Sequence, residues 1–393
     1  MLALETKLIK KTEQYKDILF FIIISILGVL IRLPGKDYIS KDMYVFLIPW
    51  YRTIKEQGGF SALSSQIGDY NILYQTLICL FSYLNTNCVY LYKFLSCIFD
   101  FFLALSSSLF ICKLMGQCRL NVMFNGIYFC LLFSPTIVFN SSYWGQCDAI
   151  YSTFVILTLY LLFRQSYPMA FLFLGIAFAF KLQTIFIIPF IIYLYFYRKN
   201  FSLLYFGITL ATFELSGLPG FLHGRSLTAP FDIYLYQTTE QPVLYANIPN
   251  FWCIIGDNYE YLSSFSIILT LCLLGFGLYM VLSHQKELHS PGEFLSVCCW
   301  VIWTCIMFLP VMHERYTFLL DILLILLCFT KKSYISFAII SNLISVITYS
   351  YFLFDTPYNT AGTSVIFFAC YLLFSFYVFF NNLLCRDAHT LTK

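Results

Sequence analysis

Charge is scarce in this chain of 393 residues. Asp, Glu, Lys and Arg make up 11% of it, and hydrophobic residues make up 60%. Soluble domains are about 25% charged, and no stretch here suggests a soluble domain of useful size. The small net charge of +3 argues against a nucleic-acid partner. The composition therefore predicts an all-α polytopic membrane protein, because helices satisfy their own backbone hydrogen bonds in lipid.

Several chemical signatures are absent as well. The sequence has no glycine-rich phosphate loop, no HExxH sequence and no DxD motif of the kind that binds a nucleotide sugar through a metal. The 15 cysteines are scattered through apolar runs without CxxC spacing, so we interpret them as small apolar fillers. No cofactor is predicted, although two carboxylates in one loop leave a divalent cation possible.

The apolar runs predict about twelve transmembrane helices in a single integral-membrane domain, 1–393, since a span needs about 20 mostly apolar residues. The approximate spans are 18–33, 90–112, 122–139, 149–163, 168–180, 183–197, 201–219, 262–283, 294–310, 317–330, 335–353 and 363–384. Four lysines precede the first run without a secretory cleavage site, which predicts an uncleaved first span with its basic end in the cytoplasm.

The basic residues orient these spans. With both termini in the cytoplasm, the positive-inside rule is satisfied by Lys113, Arg119, Arg164, Arg198, Lys199, Lys286, Lys331, Lys332, Arg386 and Lys393. The outer face then carries two long loops, 34–89 and 220–261. The first loop contains the short apolar run 70–84, which we interpret as a helix lying at the outer interface, because a span there would reverse every later loop.

Polar residues concentrate at predicted helix ends on the outer face. The densest cluster, Met312-His313-Glu314-Arg315-Tyr316, lies between two apolar runs. Charges within or beside a span usually face the protein interior and mark a functional site. Three more segments on this face are Ser40–Tyr44 with Gly68–Asn71, Tyr143–Asp148 and Lys181–Gln183, so one cavity could collect all of them.

These segments offer groups for a transfer reaction. Asp42 precedes an aromatic stretch and is a candidate base for an acceptor hydroxyl, unless it is a solvated loop carboxylate; the same alternative holds for Asp69. Arg315 has a fork that suits phosphate oxygens, and His313 can donate a hydrogen bond. Glu314 could instead make the cluster a structural ion network, and Lys181 could be a lysine that snorkels to the interface.

Inside the spans, Asp100 and Glu214 are expected to make interhelical hydrogen bonds. Asp321 follows the cluster and could orient it. A site on the outer face lies away from the cytoplasm, where nucleotide-activated sugars are made. A transferase there needs a donor activated by a lipid phosphate, which fits cationic groups at the outer ends of helices.

In their order, Asp42, Gly68-Asp69-Tyr70, Tyr143–Tyr151, Lys181-Leu182-Gln183 and Met312–Tyr316 resemble the integral-membrane GT-C glycosyltransferases. The resemblance covers about 18–330. It is closest to bacterial multispanning transferases with "WGQxD" and "MHERY" segments. It is more distant to the endoplasmic-reticulum glucosyltransferases of asparagine-linked glycosylation, where a His-Glu-Lys segment replaces His313-Glu314-Arg315.

The resemblance implies an inverting transfer from a polyprenyl-phosphate sugar to a glycan acceptor, at the outer face of a bacterial cytoplasmic membrane. By motif position it implies that Asp42 is the catalytic base and that Asp69 supports or orients the acceptor. It further implies that the donor phosphate is bound by His313, Arg315 and Lys181, and that the donor or acceptor pocket is lined by Trp144, Gln146, Asp148, Gln183 and Glu314.

Two other classes remain as alternatives. A polytopic transporter or a lipid or glycan flippase would use its intramembrane charges as a translocation path, but such proteins often show repeated halves, and no repeat stands out here. A polysaccharide polymerase or ligase would depend on basic residues in a large outer loop, and loop 220–261 has only Arg225. A glycosyltransferase explains the uneven loops best.

Overall fold

The computed structural model describes residues 3–117, 120–240, 242–283 and 288–390, with the side chains of 3–4, 6–10, 239 and 381–390 excepted. These described residues form eighteen α-helices and one two-stranded sheet. The first nine helices are α1 (Ala3–Leu30), α2 (Ile48–Glu56), α3 (Ile72–Phe81), α4 (Cys88–Leu114), α5 (Val122–Leu132), α6 (Pro135–Val138), α7 (Asp148–Phe163), α8 (Tyr167–Phe180) and α9 (Ile188–Arg198). The others are α10 (Phe206–Leu215), α11 (Leu218–Leu222), α12 (Ala229–Thr239), α13 (Trp252–Ile255), α14 (Tyr259–Ser283), α15 (Pro291–Phe308), α16 (Phe318–Thr330), α17 (Ile335–Phe354) and α18 (Thr360–Thr390).

Short helices of other types join these elements. Two are π-helical, Met43–Leu47 and Phe139–Trp144. The 3₁₀ turns are Leu33–Gly35, Gly59–Ser64, Leu182–Ile187, Leu203–Tyr205, Glu314–Thr317 and Lys332–Tyr334. The strands are β1 (Tyr245–Ala246) and β2 (Met312–His313). The prediction of an all-α multi-pass membrane protein is thus confirmed.

Six helices among the described residues are long and apolar enough to cross a membrane. They are Lys11–Gly35, Cys88–Leu114, Tyr259–Ser283, Pro291–Phe308, Lys332–Phe354 and Thr360–Phe380. A seventh candidate is the pair Val122–Leu132 and Pro135–Trp144, which is bent by 50°. Other predicted spans, such as α7, α8 and α9, coincide with apolar helices shorter than a full span. The prediction of about twelve spans stays a prediction, as does the interfacial position of α3 in the first long loop.

Helix α15 lies at the centre of the bundle. Every residue from Gly292 to Phe308 is buried, as expected for a helix that is apolar all round. The apolar side chains of α1, by contrast, are largely exposed; Phe20 is 58% exposed and Ile26 is 55% exposed. Such a surface suits contact with lipid tails rather than water.

Buried polar groups join α1 and α4 to the segment before α7. Nε of Arg32 contacts Oδ2 of Asp100 at 2.8 Å, and the Ser141 hydroxyl donates to the same oxygen at 2.5 Å. The expected interhelical bonding of Asp100 is therefore confirmed. The structure differs for the other two acids. Glu214 Oε2 has no hydrogen-bond partner among the described residues, and Asp321 accepts from Ser341 of α17 at 2.6 Å instead of contacting the 312–316 cluster.

The two-residue strands connect the second long loop to the 312–316 cluster through backbone pairing. They pair in parallel, with Tyr245 opposite Met312 and Ala246 opposite His313. Val311, just before β2, has a φ of 59°, and its N–H donates to the carbonyl of Val243 at 3.0 Å. A β-branched residue in this region is strained, and such strain often accompanies functional sites.

A glycine beside Asp69 offers a test of this packing. Gly68 has a φ of +66°, and a Cβ added there would lie 2.2 Å from the Trp50 ring. Gly58 has a φ of +82°, but its nearest neighbour would be 3.8 Å away. Gly68→Ala should therefore incur left-handed strain of about 1–2 kcal/mol together with an overpacking cost of about 1–3 kcal/mol.

The matched control, Gly58→Ala, should show the strain alone. We expect the Gly68 variant to lower the thermal unfolding midpoint of the purified protein further than the control does. Equal losses in both variants would contradict the close packing of Gly68 on Trp50.

Candidate active site

A cavity of about 510 Å³ collects most of the predicted site residues at one end of the bundle. Eight of the ten line it: Asp42, Asp69, Gln146, Lys181, Gln183, His313, Glu314 and Arg315. Trp144 and Asp148 do not line it, because they lie behind its wall and are 0% and 2% exposed. The structure thus brings the first long loop and the 312–316 cluster into one cavity.

Asp42 is held in one orientation by two side chains. It directly precedes the π-helix Met43–Leu47, and its Oδ2 accepts hydrogen bonds from Nε1 of Trp144 at 2.8 Å and Nε2 of Gln146 at 2.9 Å. No described residue donates a hydrogen bond to Oδ1. The side chain is 16% exposed, so this carboxylate is oriented, largely enclosed, and has one oxygen available to a ligand in the cavity.

A glycine turn lets Trp144 and Gln146 bond the same oxygen. The π-helix Phe139–Trp144 ends at Gly145, whose φ is 76°. Such a φ favours glycine. The side chain of Met43 also leaves little room for a larger residue, since a Cβ on Gly145 would lie 3.3 Å from the Met43 sulfur. Local π-helices are frequent at functional sites, and two of them flank this carboxylate.

Tyr70 orients the glutamine. Its hydroxyl donates to Oε1 of Gln146 at 2.8 Å, which turns the NH₂ group of that amide toward Asp42. Tyr70 also lines the cavity. Tyr70 belongs to the Gly68-Asp69-Tyr70 motif of the sequence, but no role was predicted for it. Only its position next to Asp69 could have singled it out.

Lys181 has a carboxylate partner. Its Nζ forms an ion pair with Oδ1 of Asp148, and Asn140 donates to Oδ2 of the same carboxylate at 2.7 Å. Lys181 is only 8% exposed, so the alternative of a snorkelling lysine is wrong. Its charge is largely balanced by Asp148, which leaves Lys181 a weaker candidate than Arg315 for binding a phosphate.

Arg315 lies between two carboxylates without hydrogen-bonding either. Its Nη2 is 3.8 Å from Oδ2 of Asp42, and its Nε is 3.7 Å from Oε1 of Glu314. Both distances exceed hydrogen-bond length. The guanidinium lies over the Trp144 ring, with Cζ 5.2 Å from the centroid. Arg315 is therefore positioned by ion pairing and stacking, while its N–H groups make no hydrogen bond to a described residue and its Nε is buried.

Burial changes the charge of the neighbouring groups. It lowers the pKa of His313 to about 4, an effect to which Arg315 and Lys181 add. The imidazole is consequently neutral at pH 7 and can donate one hydrogen bond, but it supplies no positive charge. Burial raises the pKa of Glu314 to about 7, against the attraction of Arg315, so this carboxyl group is partly protonated near neutral pH.

Acidic and amide side chains from both long loops also line the cavity. Asp69, Gln237 and Glu240 all line it, and the amide of Gln237 donates to the backbone carbonyl of Asp69. Burial, together with the nearby charge of Glu240, raises the pKa of Asp69. The sequence did not predict that loop 220–261 contributes to the site, because its pairing with β2 is set by the tertiary fold.

No group of three or more His, Cys, Asp or Glu side chains that could hold a metal ion occurs in the described part of the chain. Asp42 and Asp69 line the same cavity, but they do not form such a group. The geometry that is present consists of an oriented carboxylate, a guanidinium close to it and a neutral imidazole donor.

Part of this site lies in a segment with a family match. Residues 141–216 match the family model described as Mannosyltransferase (PIG-M), a family of GT-C membrane glycosyltransferases. The resemblance to the GT-C glycosyltransferases is confirmed. The match contains Trp144, Gln146 and Lys181 and supports a glycosyltransferase of the GT-C kind. It covers less than a quarter of the chain and contains neither Asp42 nor Arg315. No curated protein matches the chain.

The pKa of Glu314 predicts how stability depends on pH. A glutamate normally titrates near 4.5, and Glu314 titrates near 7 in the folded protein. Between these values the unfolded chain has lost a proton that the folded protein keeps, so stability falls as pH rises. His313 has the opposite effect. Its pKa is lowered from 6.5 to about 4 in the folded protein, so stability falls as pH drops from 6.5 toward 4.

Glu314→Gln should therefore remove the Glu314 component and leave that of His313, so the thermal midpoint should rise more steeply, or fall less, from pH 5 to 7 than in the parent protein. Thermal unfolding across this range measures the effect. Glu260→Gln, at an exposed position of α14, should leave the profile of the parent protein unchanged. An unaltered slope in the Glu314 variant would contradict a buried carboxyl group that keeps its proton.

Proposed function

We propose that this protein is an inverting glycosyltransferase that moves a sugar from a polyprenyl-phosphate donor to a hydroxyl group of a cell-surface glycan or its lipid-linked precursor. The observation that carries the proposal is the position of Asp42, which is held by Trp144 and Gln146 and lies 3.8 Å from Arg315. The two side chains supply a candidate base for a hydroxyl group and a cation for a phosphate in the wall of one cavity.

In the proposed step, Asp42 takes the proton of the acceptor hydroxyl as that oxygen attacks the anomeric carbon. The bond between this carbon and the phosphate oxygen breaks, and its electron pair leaves on the phosphate. The products are a glycoside of inverted configuration and polyprenyl phosphate. Arg315, with N–H groups that no described residue occupies, stabilises the charge that develops on the phosphate, and neutral His313 donates a hydrogen bond to it.

The part of the cavity wall formed by Asp69, Gln237 and Glu240 suits the acceptor. Carboxylate and amide groups of Asp69, Gln237 and Glu240 can accept from and donate to sugar hydroxyls, whereas they would repel a phosphate. Asp69 orients the acceptor in this proposal. The name of the matched family makes mannose the sugar to test first.

We also propose that the cavity lies on the outer side of a bacterial cytoplasmic membrane, with about twelve spans and both termini in the cytoplasm. The helix ends support this orientation. Lys113 and Arg164 lie at the ends of α4 and α7, and Lys331 follows α16, all at the helix ends opposite the cavity. Basic residues favour the cytoplasmic side, so the cavity would face outward.

Asp42→Asn should abolish sugar transfer, because the amide cannot accept the proton of the hydroxyl. The assay uses membranes containing the protein, a labelled polyprenyl-phosphate mannose and a glycan acceptor, and it measures both glycoside and released polyprenyl phosphate. Asp232→Asn, at an exposed carboxylate of α12, is the control and should keep the activity. Near-normal transfer by a folded Asp42 variant would show that Asp42 is not the base.

Arg315→Lys should act on the donor. It keeps the charge and loses the fork that suits phosphate oxygens, so kcat/KM for the lipid donor should fall by about 10²–10³, as for a lost oxyanion contact. The KM for the acceptor should change little. Unchanged donor kinetics, measured at saturating acceptor, would rule out the phosphate role of Arg315.

A further inference from the structure

A second cavity, of about 610 Å³, lies between the end of α1 and the first half of α4. It shares no lining residue with the candidate active site. Large apolar side chains that line it are exposed, with Val29 at 49%, Leu33 at 49% and Phe94 at 60%. Because both helices are candidate membrane spans, we expect these side chains to face lipid and the cavity to open sideways into the bilayer.

Three basic side chains interrupt the apolar lining. They are Arg32, Lys36 and Lys93, and no acidic side chain of the described residues lines the cavity with them. Cations are costly at membrane depth, yet Arg32 is only 5% exposed and Lys93 only 4%. A cavity that combines exposed apolar walls with buried cations has the chemistry of an anionic lipid: a chain to pack against and a headgroup to neutralise.

These three cations can still bind such a headgroup, because their partners within the protein do not use all of their hydrogen-bond donors or their charge. Nε of Arg32 binds Asp100 and Nη1 donates to two carbonyl groups, but Nη2 is buried without a hydrogen-bond partner among the described residues. Lys93 donates to the carbonyl oxygens of Gly35 and Tyr38, which position its ammonium group without cancelling its charge. Lys36 has only a loose contact with Asp37, at 3.8 Å.

We propose that this cavity binds an anionic phospholipid of the surrounding membrane. The phosphate lies among Arg32, Lys36 and Lys93, and an acyl chain runs along Phe94 and Ile98. The positive lining and the absence of a carboxylate on the described walls favour a lipid with net negative charge over a zwitterionic one. Clusters of basic residues at a membrane surface select anionic lipids for this reason.

The cavity also adjoins the segment that holds the base. Ser142 lines it, and a Cβ on Gly35 would lie 2.6 Å from the Ser142 carbonyl oxygen. Ser142 is two residues before Trp144, which bonds Asp42. The lipid therefore packs against the back of the wall that positions the carboxylate. Lipid binding in this cavity does not depend on the proposed transfer reaction.

The test measures lipid retained by the whole protein. Purified chain in detergent is titrated with phosphatidylglycerol or phosphatidylcholine, and native mass spectrometry counts the lipid bound. Phosphatidylglycerol should be retained in preference. Lys36→Gln should weaken its retention about fivefold, the factor expected for one lysine at a membrane surface. Ile98→Trp, which fills the cavity from an exposed position, should weaken it about tenfold or more.

The matched controls are Lys55→Gln, an exposed lysine of α2 that does not line the cavity, and Leu109→Trp, a 49% exposed position on the same helix as Ile98. Both should bind as the parent protein does. Equal retention of the two lipids would overturn the proposal, as would unchanged binding in both cavity variants. Inorganic phosphate that raises the thermal midpoint as much as phosphatidylglycerol would overturn it too.

Discussion

The contact between Asp42, Trp144 and Gln146 joins parts of the chain about a hundred residues apart. A carboxylate in a protein with so little charge must have donors or cations around it. Here two neutral donors hold one oxygen, and Arg315 supplies the charge at longer range. The orientation of the cavity wall depends on this arrangement, because Tyr70, Gln146 and Arg315 all contact Asp42 or one of its partners.

The lining of the cavity combines donors and acceptors. Arg315 and His313 offer N–H donors, Asp69, Gln237 and Glu240 offer mainly oxygen acceptors, and the carboxylates of Asp42 and Glu314 lie 3.8 and 3.7 Å from the guanidinium of Arg315. Two buried ion pairs, Lys181 with Asp148 and Arg32 with Asp100, join the helices around the site. Such pairs contribute little net stability, but breaking either would leave an unpaired buried charge, so they constrain how the helices can pack around the site.

Much of the site was predictable from the order of the polar segments. Charges bordering apolar runs are expensive, so Met312–Tyr316, Asp42 and the Trp144 to Asp148 stretch stood out. The position of Trp144 behind the cavity wall was not predictable. The sequence does not show whether an indole N–H donates to a ligand or to a neighbouring side chain. The pairing of Lys181 with Asp148, and of β1 with β2, depends on residues far apart in sequence whose contact only the tertiary fold creates. Most predicted spans follow the helices within a few residues, but the 3₁₀ geometry of Leu182–Ile187 was not predictable, since this segment carries no glycine or proline of its own.

The pairing of Tyr245 with Met312 and Ala246 with His313 has a consequence for biosynthesis. Asp42 is translated early, but Arg315 is made only after about four fifths of the chain, later than strand β1, which pairs with its segment. A partly inserted chain that lacks Arg315 therefore has no complete cavity. The cavity is finished only once the segment with Arg315 has been made and has paired with β1.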